Sequence, residues 1–304
     1  MALYSKPYSS PTQLATILQS RGLTIENIDM AESYLRRIGY YRFSAYLYPL
    51  LASPKEKHLF KPGSSFDKAM DIYRFDHRLR ILLFDEIEKI EIAVRSAVIN
   101  ITAYETGNPF WMTDQNYFKS TDIFNKTIKL IESELTKSRE DFIHHFNTTY
   151  SNKYPPAWMI GEVLPLGTLT RIYGNIKSNQ IRKKIAREFS LEVPVFNSWM
   201  TIITVARNNC CHHARVWNRT FALKALLMKN MSQPWIEIPV NQQKIYFSFC
   251  IIKYFLNIIS PTHDLTGKIE QLFAEFPNID ITAMGFPSEW KNEALWQTPV
   301  RKED

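Results

Sequence analysis

The sequence predicts an all-α protein. Apolar residues keep a 3.6-residue period in a long segment from Phe66 to Tyr104, and no alternating strand pattern persists along the chain. With only 9 glycines and no GxGxxG or GxxxxGK loop, a nucleotide-binding parallel sheet is not expected. A chain with 45% apolar and 13% aromatic residues can bury one large core or two modest ones.

The elements follow in order. "SPTQLATILQSRGL" predicts a helix with Ser10 as N-cap, Pro11 at the first helical position and Leu14, Ile17 and Leu18 on one face, ended by Gly22. "IENIDMAESYLRRIGYYRFSAYLYPLL" predicts a second helix, a break at Gly39 and an aromatic segment, Tyr40 to Tyr48, suited to core or interface packing. The loop Ala52 to Ser65, rich in Pro, Lys and Ser, is the best boundary candidate. From Phe66 to Tyr104 runs a long core helix, with Ile72, Phe75, Leu79, Leu82, Leu83, Ile87, Ile90 and Val94 in phase; its polar side holds Glu88, Glu91 and Arg95, the last two an i,i+4 pair that attracts across one turn. A polar, helical region extends to about Tyr154. "PPAWMIGEVLPLGTLTRIYGNI" then predicts a short helix, a turn at Pro165 to Gly167, and a helix capped by Thr168. "KSNQIRKKIAREF" carries Lys177, Arg182, Lys183, Lys184 and Arg187 before its first acid, a basic stripe that precedes the helix "VPVFNSWMTIITVARNNCC". The most apolar window, Ile245 to Ser260, is interrupted by Lys253 and falls short of the roughly 20 residues needed to cross a bilayer, so it predicts a buried helix.

Net charge of +7 suits a polyanionic partner without identifying one. Three cysteines, two adjacent, give no disulfide framework, and the opening residues lack the apolar run of a signal peptide. A cytoplasmic protein with no membrane contact is the expectation.

The chemistry concentrates in "ARNNCCHHARVWNR", Ala206 to Arg219. Zinc is disfavoured: four consecutive residues on a helix point about 100° apart and cannot converge on a tetrahedron, and no second Cys or His pair stands at ligand spacing. A thiol nucleophile at Cys210 or Cys211 beside a histidine fits loosely; small cysteines filling a helix interface are commoner. There remain Arg207, Asn208 and His212. Asn208 and His212 share a helical face, and Arg207 stands within side-chain reach of it. An arginine fork neutralises a phosphate, an amide orients it, and a histidine moves protons near neutral pH. That set suits metal-free phosphodiester cleavage, with no cofactor.

Arg207 to His212 also fits the Rx4-6H signature of HEPN domains, helical bundles that often act as RNases. "RNNCCHHARVWNR" resembles the RNxCAHHxRxWNR block of Abi-like proteins, the abortive-infection family that includes AbiD and AbiF, with Cys211 where the family more usually has alanine. The resemblance extends through "LQSRGL", "YLRRIGYYRFSAYLYP", "YRFDHRLRILLFDEIEKIEIAVRS", "PPAWMIGEVLPLGTLTRIY" and "MGFPSEWKNEALW". It implies a HEPN-like helical bundle with N-terminal and C-terminal helical extensions, divided at 1–62, 63–228 and 229–304. It further implies metal-independent RNA cleavage in phage defence or a toxin-antitoxin module, association with a structured regulatory RNA, and action as a homodimer.

On that reading His212 is the acid or base, Arg207 clamps the scissile phosphate and Asn208 positions one of them, while DNA, lacking the 2'-OH, is not a substrate. His213, Arg215, Asn218 and Arg219 bind phosphate or pack the helix end; Glu88 and Arg95 orient the motif from the neighbouring helix; the stripe from Lys177 to Arg187 binds RNA backbone. Two rivals stay open: a non-catalytic HEPN RNA-binding or assembly module, and a helical protein-interaction module in which the stripe is incidental.

Overall fold

The structure, a computed structural model, describes residues 3, 5 and 7–297; the outermost residues of the expected N- and C-terminal extensions lie outside the described residues. The described residues form twelve α-helices and no strand. The chain forms two compact units. The first runs to Arg80 and takes in Glu270–Asp280, and the second is Ile81–Ile269 with the stretch from Ile281 on.

In the first unit, α1 (Pro11–Ser20) starts from Ser10, whose hydroxyl accepts from the Gln13 N–H while the Gln13 side chain accepts from the Ser10 N–H. The chain leaves it through Gly22 at φ 91°. α2 (Ile28–Ile38) ends at Gly39, at φ 82°, and α3 (Tyr40–Leu47) follows. The aromatic segment divides: Phe43 and Tyr46 are buried, and Tyr41 is 94% exposed. α4 (Phe66–Thr106) is one helix of 41 residues, and the division between the units falls inside it, after Arg80. Its residues Asp76 and Arg80 form a buried ion pair one turn apart, and the Tyr46 hydroxyl donates to Asp76 Oδ2 at 2.7 Å. Burial and the Asp76 charge hold that phenol well above its ordinary pKa.

The second unit continues α4 and adds α5 (Thr121–Lys137), α6 (Asp141–Thr149), α7 (Ala157–Val163), α8 (Leu166–Asn175), α9 (Asn179–Glu188), α10 (Val193–Cys211), α11 (Ile245–Ile259) and the start of α12 (Leu265–Glu275). α8 begins three residues earlier than Thr168 capping would require. Pro165 is its N-cap, and Thr168 is buried within the first turn. Gly167 is therefore helical, and its bareness lets α8 approach α10: a Cβ there would stand 3.3 Å from Thr204 Cγ2. α9 and α10 meet at a bend of 62°. α11 is buried from Ile245 to Leu256, including Lys253. No single helix among the described residues is long and apolar enough to cross a membrane.

Candidate active site

α10 carries Arg207 and Asn208 in its last turn but ends at Cys211, so His212 is the C-cap (φ −86°, ψ 10°) and not a helical residue. The helical spacing expected between Arg207 and His212 stops one residue short. The His212 N–H still donates to the Asn208 carbonyl at 3.0 Å, which keeps the imidazole-bearing backbone one turn above Asn208. His213 then takes the left-handed conformation (φ 53°), its N–H donating to the Cys210 carbonyl and that of Ala214 to the Asn209 carbonyl. This is the closure usually built around glycine; histidine tolerates it better than a β-branched residue would. The turn releases both histidines from the helix, and Asn208, His212 and His213 are all exposed.

Behind the turn the chain is anchored. Val216 and Trp217 are buried. Asn218, also left-handed at φ 49°, accepts from Lys244 Nζ at 3.3 Å. Arg219 donates to the Arg215 carbonyl at 3.4 Å and lies over the Phe221 ring. Asn218 and Arg219 thus have packing partners of their own, and Arg215 is half-buried.

Arg207 is the half-buried member. Its side chain is 27% exposed, and Nε stands 3.5 Å from Glu91 Oε2, within ion-pair range but outside hydrogen-bond geometry. Glu91 is held from its other side by Arg95, whose Nη2 donates to Oε1 at 2.7 Å. Arg95 is fixed in turn by the carbonyls of Gly161 and Leu164, the latter at 3.0 Å, at the C-terminal and electronegative end of α7. Gly161 has to be glycine for this approach, because a Cβ would collide with the Ile99 side chain. The relay runs from the end of α7 through Arg95 and Glu91 to Arg207.

The structure therefore brings Arg95 to the motif but puts Glu91, not Glu88, at its centre; Glu88 is exposed on the preceding turn. The i,i+4 spacing of Glu91 and Arg95 signals their pairing, yet which acid faces Arg207 depends on how α4 and α10 pack. One carboxylate shared by two guanidinium groups leaves a net positive charge beside two exposed histidines. Cys210 is buried and Cys211 half-buried.

The basic stripe is elsewhere. It lies on and before α9, at the N-terminal end of α10, whereas the motif is at the C-terminal end, about 21 Å along the helix at 1.5 Å per residue. Nor is the stripe uniform: Lys184 Nζ is tied to Glu105 at 2.6 Å, and Arg182 donates to Asn179 at 3.1 Å, while Lys177, Lys183 and Arg187 are exposed.

The profile of the Abi-like protein family matches residues 33–218, from α2 to Asn218, and takes in every residue of this relay and turn. The chain belongs to the Abi-like family. No curated protein and no solved structure matches it. Membership associates the chain with abortive infection, a form of phage defence. The stretches "LQSRGL" and "MGFPSEWKNEALW" fall outside the matched range. The second of them packs in the second unit: Trp290 and Trp296 meet edge to face at 4.7 Å, and Trp296 Nε1 donates to the Tyr246 hydroxyl at 3.1 Å.

Proposed function

We propose that this Abi-like protein is a metal-independent endoribonuclease of the HEPN type, acting in abortive infection or a toxin-antitoxin system. The observation that carries the reading is Arg207, half-buried and paired with Glu91, in the last turn of α10 beside the exposed Asn208 and one turn before the exposed His212. A guanidinium that shares its carboxylate with Arg95 retains positive charge for a phosphodiester. Preorganised charge of this kind supplies stabilisation as the phosphorane develops.

In the reaction a base takes the proton of the ribose 2'-OH and the 2'-oxygen bonds to phosphorus. The 5'-oxygen then leaves with a proton from an acid, giving a 2',3'-cyclic phosphate and a 5'-OH end. Base and acid stand on opposite sides of phosphorus, and one His212 serves only one of them. A second copy of the chain related by a two-fold axis supplies the other. Ile81, Phe84 and Ile92 lie close to one face of α4 and are 53%, 41% and 59% exposed, an apolar strip on the helix that carries Glu91, which suits a homodimer seat.

Incubation of the protein with end-labelled single-stranded RNA, with and without EDTA, tests the reading. Cleavage with EDTA present, leaving cyclic phosphate ends and sparing DNA, is expected. RNA bound but intact would make the chain a non-catalytic RNA-binding module, and neither binding nor cleavage would make it a protein-interaction module.

A further inference from the structure

Far from the motif, the C-terminal part of α4 presents Tyr104, whose side chain is 86% exposed. Its ring borders a groove of about 410 Å³ that it shares with Lys184 and Arg187. Arg187 also lines a second groove, of about 540 Å³, together with Arg182, Lys183 and the carboxylate of Glu192. Arg187 is common to both grooves, with Tyr104 lining the first and Arg182 and Lys183 the second.

Charge on this surface is unbalanced. Lys184 and Glu105 cancel as a pair, which leaves Arg182, Lys183 and Arg187 against Glu188 and Glu192. Arg182 Nε is shielded from solvent and has no hydrogen-bond partner. Lys119, whose Nζ donates to the Gly174 carbonyl at 3.2 Å, is pushed below its ordinary pKa, first by burial and then by the charge of Arg182. A polyanion relieves that repulsion. The exposed ring selects among polyanions, because an aromatic face in water gains most from stacking on an unpaired base, which a duplex does not offer.

We propose that Tyr104 and the α9 cations form a second, single-stranded RNA site, with a base stacked on Tyr104 and the neighbouring phosphates on Arg187 and Lys183. The inference rests on the RNA reading above but not on catalysis. Its distance from the motif follows from α4: Glu91, which faces Arg207, and Glu105, which holds Lys184, are 14 residues apart, about 21 Å at 1.5 Å per residue. At about 3.4 Å per stacked nucleotide, one strand reaching both sites spans roughly six nucleotides.

Binding is measured by fluorescence anisotropy on the His212→Ala protein, which leaves RNA intact, with a labelled ten-nucleotide single strand and a duplex of equal length as probes. Tyr104→Ala is expected to weaken single-strand binding by about 5- to 150-fold, the worth of one stacked base, and to leave duplex binding unchanged. Tyr104→Trp retains affinity, whereas Tyr104→Leu, apolar but not planar, does not. Replacing Lys183 and Arg187 with glutamine lowers the slope of log K against log salt by about 1.4, two single-strand contacts. Tyr104→Ala binding like its parent, Leu serving as well as Trp, or no binding of the single strand at all overturns the proposal. With histidine restored, a trinucleotide is cut equally by the parent and Tyr104→Ala, and only the ten-nucleotide strand distinguishes them. If both substrates are cut equally by both proteins, the second site fails while the nuclease stands; if neither is cut, the binding arm still decides the second site.

Discussion

Helix α4 carries the same device twice, an acid followed four residues later by an arginine, once in each unit. Asp76 and Arg80 are sealed: their side chains are 0% and 7% exposed, and the Tyr46 hydroxyl occupies the same carboxylate oxygen as the guanidinium. Glu91 and Arg95 are left at 15% and 12%, and a further arginine, Arg207, 27% exposed, comes to the same carboxylate from α10. The first assembly is balanced in charge and closed to water, so it holds one helix to another. The second carries a surplus positive charge open on one side, which suits an anion. Identical spacing thus yields a structural clamp or a binding group, according to what the neighbouring helix contributes.

The largest expected break falls on the open side. His212→Ala should lower RNA cleavage by about 10²- to 10⁴-fold, the usual worth of a general acid or base, with circular dichroism unchanged because the side chain is exposed. Parental cleavage by that variant would remove His212 from the reaction. Next comes the sealed side, where Asp76→Asn should cost about 3–5 kcal/mol in denaturant unfolding, since it leaves the Arg80 charge buried without its partner. Glu91→Gln should cost less stability, about 1–2 kcal/mol, and reduce cleavage per folded molecule by about tenfold to a hundredfold by freeing Arg207. If Glu91→Gln unfolds the protein as readily as Asp76→Asn and leaves turnover intact, both assemblies are clamps.

Acid gives a third way to separate the regions, since the second unit alone contains His263. Its Nδ1 accepts from the Leu265 N–H at 3.1 Å, so Nε2–H donates to Asn257 Oδ1 at 2.9 Å and the ring is neutral. Burial, then the charges of Lys253 and Lys89, push its pKa down to about 4. A histidine with a lowered folded pKa binds its proton more readily when unfolded, so stability falls as pH drops from about 6.5 to about 4, by on the order of 3 kcal/mol. Denaturant unfolding across that range should show the loss, and His263→Gln should flatten it; a parent curve with no slope there would refute the neutral, buried ring. A further change acts on the open pair through its anchor. Gly161→Ala forces Ile99 and the Arg95-binding carbonyl apart, which should cost about 1–3 kcal/mol and reduce cleavage in the same sense as Glu91→Gln. Cleavage unaffected by a destabilised Gly161→Ala protein would detach α7 from the relay.

Much of this was legible from local rules. Ser10 before Pro11, the glycine at 39 and the apolar rhythm of α4 each act within a few residues, and each helix formed where those signals stand. Thr168 misled because a hydroxyl before an apolar run also reads as a cap, whereas the Pro165 conformation had already set the start of α8. The end of α10 was hidden for a related reason. No glycine or proline marks it, and a histidine fills the left-handed position.

The sequence by itself determined the helical class, the motif residues and the pairing of Glu91 with Arg95, because backbone hydrogen bonding and side-chain periodicity are local. Tertiary structure decided which carboxylate meets Arg207, that His212 leaves the helix, that Lys184 is neutralised by Glu105 and that Tyr104 stands in water beside the α9 cations. These depend on the rotation and separation of packed helices, which are fixed by contacts between residues as far apart in the chain as Arg95 and Gly161.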